Sequence, residues 1–184
     1  MGVRDRQRRA TPLPGLRAND LDRLALAYVG RYSTTARKLS DYLLRKVAQR
    51  GWADADPPAV DVVVGRMAEL KYIDDEVFAG SRAATLTRRG LGARRVTADL
   101  MRAGIDRDTV AAIGGALQDK ADAAALAYAR RRRLGPFAAT LPDPATRKRH
   151  LAAMYRAGHD YAIARRVLDL DGDFVQDDLD IFGI

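Results

Sequence analysis

"ARKLSDYLLR", residues Ala36–Arg45, aligns without a gap on "ARRVTADLMR", residues Ala93–Arg102. A second pair, "LMRAGIDRDTV" (Leu100–Val110) and "MYRAGHDYAIA" (Met154–Ala164), does the same. Self-similarity on this scale is the signature of a repeat architecture, in which each unit is one supersecondary motif. Within the repeated stretch the apolar residues are spaced by three and four, as in Leu39, Leu43 and Val47 or Val96 and Leu100, so they share one face of a helix. The alignments imply three copies of a three-helix module. A turn glycine follows each copy, Gly51 loosely in the first, Gly104 in the second and Gly158 in the third, as a left-handed helix terminus requires.

Working outward, Asn19 or Asp20 is placed to cap a first helix carrying Leu21, Leu24, Ala25 and Tyr28 on one side, with Gly30 ending it. Ser33 or Thr34 is expected to cap the second. After the break "AQRGWADADPP", Pro57 and Pro58 suit the first turn of a third helix, with Val60, Val63, Val64, Met67 and Leu70 on its buried side. The expected layout is a flexible basic arm over 1–18, modules over 19–72, 73–118 and 119–170, and an acidic tail over 171–184.

Composition agrees with an all-α protein. Of 184 residues, 47% are hydrophobic and 30% charged, aromatics are few, and β-branched alternation is nearly absent. Without cysteine there is no disulfide framework and no thiolate nucleophile, which fits a cytoplasmic location. The basic N-terminus has no apolar run behind it, so neither a signal peptide nor a membrane anchor is expected. A formal net charge of +8 points to a polyanionic partner, nucleic acid ahead of a membrane surface.

The repeats carry a charge pattern. Each copy holds a basic pair seven residues apart: Lys38 with Arg45, Arg95 with Arg102, and Arg149 with Arg156. Seven residues are almost two turns, so each pair stands about 10 Å apart along one face, away from the apolar one. The pairs are candidates for a basic stripe, or they simply solvate the outer faces of their helices. "ARRRRLG" (Ala129–Gly135) adds Arg130, Arg131, Arg132 and Arg133 at a helix end, where cations complement the dipole or bind phosphate. "YIDDEVFAGSR" (Tyr72–Arg82) reads as a helix start, with Asp74 as cap and Asp75 and Glu76 in the first turn; a contact from these acids to a cationic partner is the alternative. The tail, with Asp169, Asp171, Asp173, Asp177, Asp178 and Asp180 among Leu179, Ile181 and Phe182, either is solvated, folds back on the basic surface, or docks on a protein partner.

Signatures of catalysis are missing. There is no "GxxxxGK[ST]" and no "GxSxG", and "GLGARR" (Gly90–Arg95) lacks the third glycine of a dinucleotide fingerprint and follows a helix, so it reads as a helix-to-helix turn. His150 aligns with Val96 on the apolar face, and both it and His159 read as core or boundary histidines. No cofactor, no metal and no enzymatic activity are expected.

"LAYVGRYSTTARKLSDYL" (Leu26–Leu43), "YIDDEVFAGSR" and "RRGLGARRVTADLMRAGID" (Arg88–Asp106) together resemble the RecX family of recombination regulators, over roughly residues 20–170. The resemblance implies an elongated, curved array of three-helix repeats. It also implies binding in the groove of the RecA filament on single-stranded DNA, with inhibition of filament extension, recombinase and co-protease activity, and so a part in DNA repair. Asp74, Asp75, Phe78, Arg82, Gly90, Gly92, Arg95, Leu100 and Gly104 match family positions, Phe78 and Leu100 as core and the glycines as backbone requirements. The expected partners are the RecA filament and single-stranded DNA, with double-stranded DNA a further candidate, and the chain acts as a monomer. The expected filament and nucleic-acid contacts are Lys38, Arg45, Arg82, Arg95, Arg102, Arg130 to Arg133, Arg149 and Arg156, with Asp74 and Asp75 toward the protein partner. A helix-turn-helix-like module acting on DNA without RecA is the competing class, and an inert scaffold a third.

Overall fold

The computed structural model describes residues 14–170, and its regular elements there are helices: α1 Ala18–Val29, α2 Ala36–Arg50, α3 Val60–Glu69, α4 Asp75–Arg88, α5 Ala93–Arg102, α6 Arg107–Asp119, α7 Ala121–Arg132, α8 Pro144–Arg156 and α9 Tyr161–Leu168. A short 3-10 turn, Gly135–Phe137, lies between α7 and α8. The chain divides between Ile73 and Asp74 into two compact units.

The first unit packs α1, α2 and α3 around Leu21, Ala25, Leu39, Leu43, Val60, Val63, Met67 and Ile73. Leu39 and Leu43 are fully buried, and truncating either to alanine costs about 2–5 kcal/mol. The helix starts differ in detail from those expected. Arg17 is the N-cap of α1, and Asp20 acts from inside the first turn, its carboxylate accepting the Arg17 amide at 3.0 Å. Thr35 caps α2 in place of Ser33 or Thr34, because it is the last extended residue and its Oγ1 accepts the Lys38 amide at 3.2 Å. Pro57 and Pro58 precede α3, and Ala59 is its N-cap. Leu70 follows the end of α3 and is 58% exposed.

The segment read as a flexible arm is pinned at its end. Leu16 is fully buried; its amide donates to the Gly51 carbonyl and its carbonyl accepts the Ala53 amide, both at 2.9 Å. Residues 1–13 lie outside the described residues, as does the acidic stretch 171–184.

The second unit holds two three-helix sets. Helices α4, α5 and α6 bury Ala79, Ala83, Leu86, Val96, Leu100, Ile105, Val110 and Leu117. Helices α7, α8 and α9 bury another cluster that includes Ala125, Leu126, Ala129, Met154, Ala164 and Val167. The sequence repeat is visible in local geometry: α5 and α8 end at Arg102 and Arg156, Gly104 and Gly158 follow with φ of 89° and 96°, and Asp106 and Asp160 cap α6 and α9. The acidic triplet begins α4. The Asp74 carboxylate accepts the Val77 amide at 3.0 Å, and Asp75 and Glu76 occupy the first turn.

Candidate nucleic-acid interface

In the second unit, the turn before α5 and the turn after α8 meet through backbone. Gly92 donates its amide to the Ala157 carbonyl at 3.0 Å, and the Arg94 amide reaches the Gly158 carbonyl at 3.3 Å. The approach leaves no room for a side chain: a Cβ on Gly92 would lie 2.3 Å from the Gly158 carbonyl carbon, and one on Gly90 2.6 Å from the Tyr128 nitrogen. Two side chains close the joint. His159, 2% exposed, donates from Nε2 to the Gly90 carbonyl at 3.0 Å. Arg94 donates to the carbonyls of Tyr155 and His159, at 3.0 and 3.2 Å, while its guanidinium lies 3.8 Å from the Tyr155 ring centre. Burial pushes the His159 imidazole below its ordinary 6.5; the Gly90 carbonyl opposes this and the Arg94 charge adds to it.

This joint sets the start of α5 against the end of α8. A groove of about 340 Å³ opens there, lined by Arg95 of α5, Tyr128 and Arg132 of α7, and Arg156 of α8, with Leu91, Ala153 and Ala157 as its apolar floor. Among the described residues no carboxylate lines it. All three arginines are exposed, and among the described residues none is paired with an acid. Three guanidiniums from three helices around one opening have the chemistry to hold phosphate or carboxylate oxygens in bidentate fashion.

The remaining candidates are distributed as follows. Arg102 lies exposed at the end of α5, and Arg130, Arg131 and Arg133 are exposed at the end of α7, with Arg131 6.0 Å from the Tyr128 ring centre. Arg149 is exposed but donates to Thr146 Oγ1 and the Ala145 carbonyl on its own helix. Arg82 departs from the expected basic surface. It joins α4 to α5 by donating from both Nε and an Nη to Asp99, at 2.7 and 3.3 Å, and this hydrogen-bonded carboxylate raises its pKa. Spacing within α4 could not reveal this, because Asp99 sits on the next helix. Asp74 is occupied as a cap, and Asp75 is half-buried beside it. In the first unit, Lys38 and Arg45 are both exposed on α2, and Arg45 lies 5.8 Å from the Tyr42 ring centre.

Other arginines are paired with acids far along the chain or one turn away. Asp169 takes Arg147 and Arg165, Asp122 takes Arg166, and Asp22 takes Arg66. Asp169 is the C-cap of α9, and its two arginines lie on α8 and α9; Asp171 and beyond, with the rest of the acidic tail, lie outside the described residues. His150 is half-buried on α8 and accepts the Gly135 amide at Nδ1, 3.1 Å away. Among the described residues no group of acids and histidines is placed to hold a metal ion, and no helix is long and apolar enough to cross a membrane.

Sequence reasoning missed Arg94, the ring of Tyr128 and the latch made by His159. The one available signal was the glycine pair Gly90 and Gly92 opposite the repeat glycine Gly158, since clustered glycines mark close backbone approach.

Residues 74–112, covering α4, α5 and the first half of α6, match the family model described as RecX, second three-helix domain. A regulatory protein RecX from Myxococcus xanthus is 33% identical over 163 residues, covering 81% of this chain and 84% of the relative. One from Thermobifida fusca is 32% identical, covering 81% and 79%. Among solved structures, a regulatory protein RecX shares the fold with a TM-score of 0.63 at 16% identity, over 83% of this chain and 72% of that one. RecX from Lactobacillus salivarius does so with a TM-score of 0.58 at 18% identity, over 89% and 97%. Three-helix units in the same fold, together with relatives one third identical over four fifths of the length, establish that the chain belongs to the RecX family of regulatory proteins.

Proposed function

We propose that this chain binds RecA filaments on single-stranded DNA, lies in the filament groove, and inhibits filament extension together with recombinase and co-protease activity. It acts as a monomer in the cytoplasm and modulates DNA repair. The observation that carries the reading is the convergence of Arg95, Arg132 and Arg156 on one groove that no carboxylate lines among the described residues. Arg102, Arg130, Arg133 and Arg149 extend the cationic surface of the second unit, and Lys38 and Arg45 supply cations on the first. Several dispersed contacts suit a polymer of repeating subunits, because weak contacts to neighbouring subunits multiply through effective concentration. Asp74 and Asp75 contribute by holding the start of α4, with any contact to the protein partner secondary to that role.

The test is a charge reversal, Arg95→Glu with Arg132→Glu and Arg156→Glu, added to preformed RecA filaments while DNA-dependent ATP turnover is recorded. The parent chain should slow turnover and the triple variant should not, with helicity equal in both. Inhibition that survives the triple substitution rejects the assignment.

A further inference from the structure

The first unit carries a cluster that phosphate binding does not use. Tyr28 of α1 and Tyr42 of α2 are stacked, with ring centres 4.3 Å apart and planes 22° from parallel, and Tyr32, just beyond α1, tilts against Tyr28 at 5.2 Å. Tyr28 and Tyr42 rest on the hydrophobic core, which fixes their orientation, whereas Tyr32 is 53% exposed. A groove of about 420 Å³ opens over these rings, and Arg31 and Arg45 complete its walls. Lys46 lies 5.6 Å from the Tyr42 ring centre. Among the described residues no carboxylate lines the groove.

Rigid aromatic rings flanked by cations fit a ligand that is a planar π-system on an anionic backbone. We infer that this groove is a base-stacking site for single-stranded nucleic acid, with an unpaired base against the tyrosines and the flanking phosphates on Arg31 and Arg45. Stacking needs a free base face, which a duplex keeps covered, so the site selects unpaired strand without reading sequence. The cations argue against a neutral protein surface as occupant, since Arg and Lys on both sides would remain without counter-charge. The inference rests on the nucleic-acid half of the function proposed above and adds a base contact in the first unit to the phosphate contacts of the second.

The binding arm of the experiment needs no RecA, and RecA turnover is recorded beside it. Binding of the full chain to labelled oligothymidylate is compared, by fluorescence anisotropy, with binding to an abasic deoxyribose-phosphate oligomer of equal length and charge. The parent chain should prefer the thymidylate. Tyr32→Ala should weaken thymidylate binding roughly 5- to 150-fold, the range for losing one base stack, and leave the abasic oligomer unaffected; Tyr32→Phe should retain the preference. As a measurement free of any variant, thymidylate should quench the tyrosine fluorescence of the parent chain and the abasic oligomer should not. Equal affinity of the parent for both oligomers, or equal loss on both with Tyr32→Ala, overturns the inference in favour of phosphate contact alone. A Tyr32→Ala chain that keeps thymidylate binding but no longer inhibits RecA overturns it in favour of a protein contact. A parent chain that discriminates between the oligomers yet leaves RecA turnover unchanged upholds the base site and removes the RecA reading.

Discussion

Gly92 and Gly158 touch through their backbones, so closely that a Cβ on either would come within 2.4 Å of the main chain opposite. They belong to different three-helix sets of the second unit, at the start of α5 and the end of α8. Their contact is what brings Arg95 and Arg156 to one groove, where Arg132 joins them. A joint made of backbone has no rotamers to adjust, so it transmits position between the sets with little slack.

Substituting Gly158 with Ala should destabilise the second unit by about 1–3 kcal/mol, since it adds both a clash with Arg95 and a side chain at φ 96°. Gly114, in the middle of α6, has open space around the position of a Cβ. Gly114→Ala should therefore stabilise by about 0.5–1 kcal/mol. Urea unfolding of the two variants beside the parent checks both signs at once.

The arginine groove has a signature in salt. If Arg95, Arg132 and Arg156 each neutralise a phosphate, replacing all three by Gln should flatten the dependence of log affinity on log salt by about 2 for single-stranded DNA, at about 0.7 per contact. Arg82→Gln should leave that slope unchanged, because its guanidinium is committed to Asp99. It should instead cost about 1 kcal/mol of stability through the lost bidentate pair. A titration series at several salt concentrations separates the two.

His159 makes the joint sensitive to acid. Its folded pKa is held below the ordinary 6.5, so the folded chain binds fewer protons than the unfolded chain in that range. Stability is complete above about 6.5 and falls as pH drops through the folded value. His159→Gln, which keeps a donor for the Gly90 carbonyl, should remove this component. The acid loss that remains should come at lower pH, from Asp106 and Asp143, whose carboxyls are held below 3.8 first by the backbone amides of Thr109 and Thr146 and then by their hydroxyls. Melting temperatures from pH 4 to 8 for the parent and the Gln variant provide the check.

At Asp74, Ala should cost about 1 kcal/mol, the usual value of an N-cap, whereas Asn should be nearly neutral because it retains an accepting oxygen for the Val77 amide. If the carboxylate instead serves a cationic partner, Asn should lower RecA inhibition while stability is preserved. Measuring both quantities on Asp74→Asn distinguishes a cap from a contact.

Helix identity and the threefold repeat came from spacing along the chain. Leu39 with Leu43, Val96 with Leu100, and the aspartates before α4 and α6 act on neighbours three or four residues away, and such interactions are encoded locally. Cap positions moved by two or three residues at α1, to Arg17, and by one or two at α2, to Thr35, because several polar side chains stand in line there and local spacing does not choose among them. Which arginines meet an acid was a different matter. Arg82, Arg147 and Arg166 look like Arg95 and Arg156 in composition and spacing, yet the first three meet acids on other elements and the last two face a groove with no carboxylate among the described residues. A guanidinium on a long flexible stem takes its partner from whatever the fold brings near, so its surroundings follow from the docking of α5, α7 and α8 across two glycines and a buried histidine.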